Sequence, residues 1–111
     1  MEMQVNEFDG VTLITLEGRF DIAGSQAVDA RFKALAETAA ALAVDMAKVT
    51  FLASLGVRTL MLSAKTVLRR GGTMAVCGAD DNVEKVLLST GFNEIVSLYP
   101  DFAAAKAALK T

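Results

Sequence analysis

Asp9-Gly10 constrains this chain more than any other pair of residues. It sits between two stretches with strand patterning, Met3 to Glu7 and Val11 to Glu17. A tight hairpin turn needs positive φ at its central residues, which Asp and Gly tolerate best, so the pattern predicts an opening β-hairpin. Val11, Leu13, Ile14 and Leu16 place apolar groups on both faces of the second strand. That strand is therefore expected inside a sheet covered on each side.

After the hairpin the period changes. Gly18-Arg19-Phe20-Asp21 leaves the sheet, and about 24–40 reads as a helix with Ser25 as its N-cap. Val28, Phe32, Leu35 and Ala39 recur at spacings of three and four. Leu42 to Met46 reads as a short strand, and 47–53 as a connection. A second helix starts near Ser54, with a stripe of Val57, Leu60, Met61, Ala64, Val67 and Leu68. Arg69-Arg70 then complement the negative end of the helix dipole, and Gly71-Gly72 supply the left-handed stop. Thr73 to Cys77 reads as a strand. Asp80, Asp81 and Glu84 open a third helix with Val83, Val86 and Leu87 inward and Gly91 at its close. A last strand is expected over Ile95 to Leu98. Pro100 opens a final Ala-rich helix with Asp101 in its first turn and Phe102, Ala105 and Leu109 pointing in.

The order is β-β-α-β-α-β-α-β-α, an α/β domain with a mixed, mostly parallel sheet. With 111 residues the chain makes one domain, 1–111, and its 53% hydrophobic content is ample for a core. The unequal apolar content of the helices predicts uneven cover of the sheet.

Composition removes several function classes. A net charge of -2 argues against a nucleic-acid partner. No apolar run reaches the roughly 18 residues that span a bilayer, so membrane insertion is not expected. Met1-Glu2-Met3-Gln4 has no basic stretch or apolar signal core, which points to the cytoplasm. With no histidine, Ser-His-Asp and Cys-His catalysis is excluded, as is a histidine metal site. The single cysteine, Cys77, lies in the apolar run Met74-Ala75-Val76-Cys77 and reads as a buried strand residue. Asp80 and Asp81 read as dipole partners at a helix start rather than metal ligands. No glycine-rich phosphate loop is present, because Gly71-Gly72 follows a helix instead of opening one. A response-regulator receiver needs an acidic pair after its first strand and a lysine ending its last; neither is here. No cofactor is expected.

The segment Asp45 to Arg58 remains. Ser54 has two readings: a plain N-cap worth about 1 kcal/mol, or a phospho-acceptor. A phosphate there meets unpaired N–H groups and the positive end of the helix dipole, so it is tolerated by the fold. Local physics leaves both open. Val49-Thr50-Phe51-Leu52-Ala53-Ser54-Leu55-Gly56-Val57 resembles the V-T-F-x-D-S-S-G-L signature of STAS domains. Leu16-Glu17-Gly18-Arg19-Phe20-Asp21 resembles that family's G-x-L/F-D motif, and Val44-Asp45-Met46 its L-D-L/M strand. Gly91-Phe92 with Ile95 resembles the segment before its last helix. The resemblance spans the chain and is to anti-sigma-factor antagonists.

That resemblance implies a non-enzymatic partner switch. The unphosphorylated antagonist captures an anti-sigma factor that is also a serine kinase; phosphorylation at the position of Ser54 releases it, and a serine phosphatase resets it. It implies a binding surface of Phe20, Asp21, Ser25, Leu52, Ala53, Leu55, Gly56, Val57 and Arg58, with Leu52, Leu55 and Val57 as an apolar patch. The sequence departs from the signature at Ala53, where the family has aspartate, and at Leu55, where it has a small residue. A STAS subunit bound constitutively to a membrane lipid-transport ATPase complex is the alternative, as is a signalling scaffold. A hydrolase built on Ser54 lacks a base, Asp45 being the one acid nearby in sequence.

Overall fold

A computed structural model describes residues 1–110. The hairpin forms as the Asp-Gly pair demands. Strands β1 (Glu2–Phe8) and β2 (Val11–Phe20) pair antiparallel from Phe8↔Val11 to Glu2↔Glu17. Asp9 and Gly10 take φ of 53° and 84° between them. The chain continues through α1 (Ile22–Ala36), β3 (Ala41–Leu52), α2 (Ser54–Arg69), β4 (Thr73–Cys77) and α3 (Asp81–Ser89). A 3-10 turn (Phe92–Glu94), β5 (Ser97–Tyr99) and α4 (Phe102–Leu109) complete it. The sheet order is β1-β2-β3-β4-β5, and every pairing after the hairpin is parallel.

The two faces of β2 explain the layering. Ile14 and Leu16 enter the main core, which packs against Val28 and Phe32 of α1, Leu60 and Val67 of α2, and Val83 and Leu87 of α3. Val11 and Leu13 face the other way, toward Phe102 and Leu109 of α4. Three helices thus cover one face and α4 alone covers the other, the uneven cover expected from composition. Further contacts hold α4 to the hairpin turn. Phe8 and Phe102 rings lie 5.5 Å apart, and Lys106 Nζ lies 2.6 Å from Asp9 Oδ2. Lys106 and the neighbouring Lys110 hold the Asp9 carboxyl below its ordinary value, the hydrogen bond from Lys106 being the main cause.

Several boundaries differ from the sequence expectations. β3 does not stop at Met46 but runs on to Leu52, because β2 extends to Phe20 and pairs with it as far as Phe20↔Leu52. Asp45 looked like a terminus; instead its Oδ1 accepts a bond from Ala47 N at 3.0 Å beside a register shift in the ladder. α1 begins three residues before Ser25. Its N-cap is Asp21, whose Oδ1 accepts from Gly24 N at 2.9 Å. The helix closes at Ala36, where Thr38 N and Ala39 N both turn back to Leu35 O. Ile95 caps the 3-10 turn rather than starting a strand, and Val96 takes the buried place. Asp101 is the N-cap of α4, accepting from Ala104 N, not a first-turn residue. Arg70 does more than answer a dipole: its guanidinium donates to Ala36 O and Ala39 O, both at 2.9 Å, joining the ends of α2 and α1.

Candidate functional site

The carboxyl ends of β2 and β3 bring the expected residues to one corner. Ala53 N donates to Phe20 O at 3.0 Å, which locks the entry of α2 against the exit of β2. Close approach at this corner depends on two glycines. A Cβ on Gly24 would lie 2.3 Å from Arg19 O, and one on Gly56 would lie 2.8 Å from Phe20 O. Phe20, with its ring 6.3 Å from that of Phe32, is fully buried below the corner.

Ser54 is not the N-cap. Ala53 holds that position with φ -99° and ψ 169°, and the turn has no side-chain cap. Ser54 is the first residue of the helix and is exposed. The first intrahelical bond at this end is Val57 N to Ala53 O, so the N–H groups of Ser54, Leu55 and Gly56 have no acceptor within the helix. A hydroxyl at the surface thus stands beside three amides and the positive end of the α2 dipole.

The other residues separate by burial. Leu55, Arg58 and Ser54 face solvent and Asp21 and Ala53 are half-buried. Leu52 and Val57 are core residues at 4% and 5% exposure, and Phe20, Ser25 and Gly56 are buried as well. The apolar patch expected from Leu52, Leu55 and Val57 is therefore carried by Leu55 alone of the three. Its neighbours are residues that sequence reasoning passed over. Ile22 (59% exposed) and Leu62 (54% exposed) line a groove between α1 and α2 together with Leu55 and Arg58. A usable signal for Leu62 was its place off the buried stripe of α2. Leu68, assigned to that stripe, is exposed, and Met61 is half-buried. Arg19 was missed too; its guanidinium lies 4.4 Å from the ring centroid of Phe51 and its Nε 3.4 Å from Asp21 Oδ2. The Gly24 amide, and secondarily Arg19, hold the Asp21 carboxyl below its ordinary value.

Cys77 is buried at the end of β4, its thiol pushed up to about 12 by burial, with Asp45 and Asp101 adding to the shift. Among the described residues no group of three or more Cys, Asp or Glu could hold a metal ion. No helix among them is long and apolar enough to cross a membrane.

A mixed five-stranded sheet with three helices on one face, α4 on the other and an exposed serine heading α2 makes a small α/β domain. The sequence pattern of the STAS domain matches residues 2–105, and the chain belongs to the STAS domain family. A candidate anti-sigma factor antagonist, BtrV of Bordetella bronchiseptica, is 26% identical over all of this chain and 97% of its own. An anti-sigma factor antagonist from Mycobacterium paratuberculosis superposes with a TM-score of 0.91 at 24% identity, covering 99% of this chain and 94% of that one. The STAS domain of a SulP transporter from Vibrio cholerae gives 0.72 at 26% identity, over 95% and 85%.

Proposed function

We propose that this chain is an anti-sigma-factor antagonist switched by phosphate on Ser54. The observation that carries the reading is the placement of Ser54 at the first helical position of α2, exposed and uncapped, next to Leu55. In the neutral state this corner offers apolar surface and free amides to an anti-sigma factor. Phosphorylation adds about -1.5 to -2 charges, which the amides and Arg58, one turn on, accommodate within the domain. The cost falls on the complex, because docking then requires removing the phosphate from water. The kinase is an anti-sigma factor with serine-kinase activity, and a serine phosphatase resets the switch. Full-length likeness to BtrV and to the Mycobacterium antagonist supports this reading.

Ala53 supports a second reading. An alanine at the N-cap leaves α2 without the polar contact that an aspartate would offer a kinase or phosphatase. The domain then docks constitutively through the same corner, as a subunit of a transport ATPase complex or a scaffold.

Intact-mass spectrometry after incubation with ATP and the cognate kinase separates the two. One added phosphate on the native chain and none on Ser54→Ala is the expected result. A kinase active on another substrate that leaves this chain unmodified, yet still binds it, favours constitutive docking.

A further inference from the structure

Half of the large apolar side chains exposed on this domain gather in one place. Ile22, Leu55, Leu62 and Leu68 all line the open groove between α1 and α2, a space of about 1140 Å³. Contiguous exposed apolar surface of this kind marks an interaction site.

Charge gives the groove a direction. Lys33, Arg58, Lys65 and Arg69 line it, and the one carboxylate lining it is Asp29, already bonded by the Thr59 hydroxyl. Over the whole chain acids outnumber cations 13 to 11, so this concentration runs against the overall balance. None of the four cations pairs with a carboxylate among the described residues. Ser25 lines the groove too, its Oγ buried and without a hydrogen-bond partner among the described residues.

We infer that the α1–α2 groove is the seat of an acidic amphipathic helix from a partner protein. The shape selects a helix: the trough lies between two packed helices and runs from Leu55 to Leu68. That is about 20 Å at 1.5 Å per residue, the length of roughly 14 helical residues. A lipid surface fits poorly, because the leucines line a concavity rather than project from a ridge. A second copy of this chain fits poorly too. Its acidic helix α3 is nine residues long, shorter than the trough, and already packs Val83 and Leu87 into the core. The groove begins at Leu55 and Arg58, beside Ser54, so the helix passes the site where phosphate would be added. The inference rests on the reading above only in taking the chain as a protein-binding module, and it needs no phosphate.

The test uses the whole chain and a designed stapled helix of roughly 14 residues, with leucines at three-and-four spacing and glutamates elsewhere. Its counterpart carries lysines in place of the glutamates. Titration followed by amide chemical shifts should show saturable binding of the acidic helix, with changes confined to α1 and α2. The acidic helix should bind at least about tenfold more tightly than the lysine helix, and salt should weaken it. Arg58→Glu with Lys65→Glu, both on the surface, should reverse the preference. Equal binding of both helices, shifts outside the groove, or no saturation would overturn the inference. So would concentration-dependent dimerisation that blocks the groove, or adsorption to anionic phosphatidylglycerol vesicles that the acidic helix cannot displace. A groove that binds while Ser54 takes no phosphate removes the switch and keeps the docking site; the converse removes the docking site and keeps the switch.

Discussion

The α-carbon of Gly56 packs directly on Phe20: a Cβ there would lie 2.8 Å from the Phe20 carbonyl oxygen and 2.9 Å from its ring carbon Cγ. Phe20 is fully buried and its carbonyl already receives Ala53 N, so neither atom can retreat. Gly56→Ala gains about 1 kcal/mol in helix propensity. The overlap costs about 1–3 kcal/mol, so the expected outcome is net loss of stability in denaturant unfolding. A variant as stable as the native chain would mean that α2 slides freely at its entry.

A negative charge at position 54 should leave the domain intact. Ser54→Asp puts a carboxylate at the start of α2 and four residues before Arg58, both favourable placements. The expected gain is about 0.5 kcal/mol, seen as a small rise in melting temperature. Should the variant melt several degrees lower, phosphate could not be a tolerated modification at this serine.

Asp21 ties acid stability to the site. Its folded pKa lies below the ordinary 3.8, chiefly through the bond from Gly24 N. The stabilisation is therefore complete above 3.8 and lost as pH falls through the lower folded value. Asp9 behaves alike through Lys106. Asp21→Asn keeps a capping oxygen and loses the charge, so its unfolding midpoint should fall less steeply with acid. Parallel curves for the two proteins would show that the cap works equally well uncharged.

Cys77 should be inert until the fold opens. A thiol pushed from 9.0 to about 12 is neutral at physiological pH and packed against Ala75 and Ala105. Its contribution to stability is present below 9.0 and is lost as pH rises from there toward 12. Labelling by a chromogenic disulfide reagent should track unfolding in denaturant; rapid labelling of the native protein would place the thiol at the surface.

Much of the architecture is legible because it depends on local chemistry. The hairpin follows from two residues that accept positive φ, and the two-sided strand β2 from apolar residues of both parities. The inward residues Val57, Leu60, Ala64 and Val67 of α2 and Val83 and Leu87 of α3 follow repeats of three and four, though Leu68 of the same α2 repeat lies at the surface. The STAS resemblance is legible for the same reason, since its motifs are short runs of consecutive residues.

What tertiary structure decided are the features set by partners distant in sequence. The carboxyl half of β3 reads as a loop, because Ala47 to Leu52 becomes a strand only by pairing with an extended β2. Asp21 rather than Ser25 caps α1, because β2 runs on to Phe20 and the helix starts directly after it, where the Asp21 carboxylate meets Gly24 N. Leu52 and Val57 share a motif with Leu55, yet they join the main core while Leu55 stays at the surface, and no spacing rule assigns one leucine to the core and the other to the surface. Ile22 on α1 and Leu62 on α2 stand forty residues apart in the chain. Only the packing of those two helices makes them one groove, because a shared surface is a property of two elements and neither carries it alone.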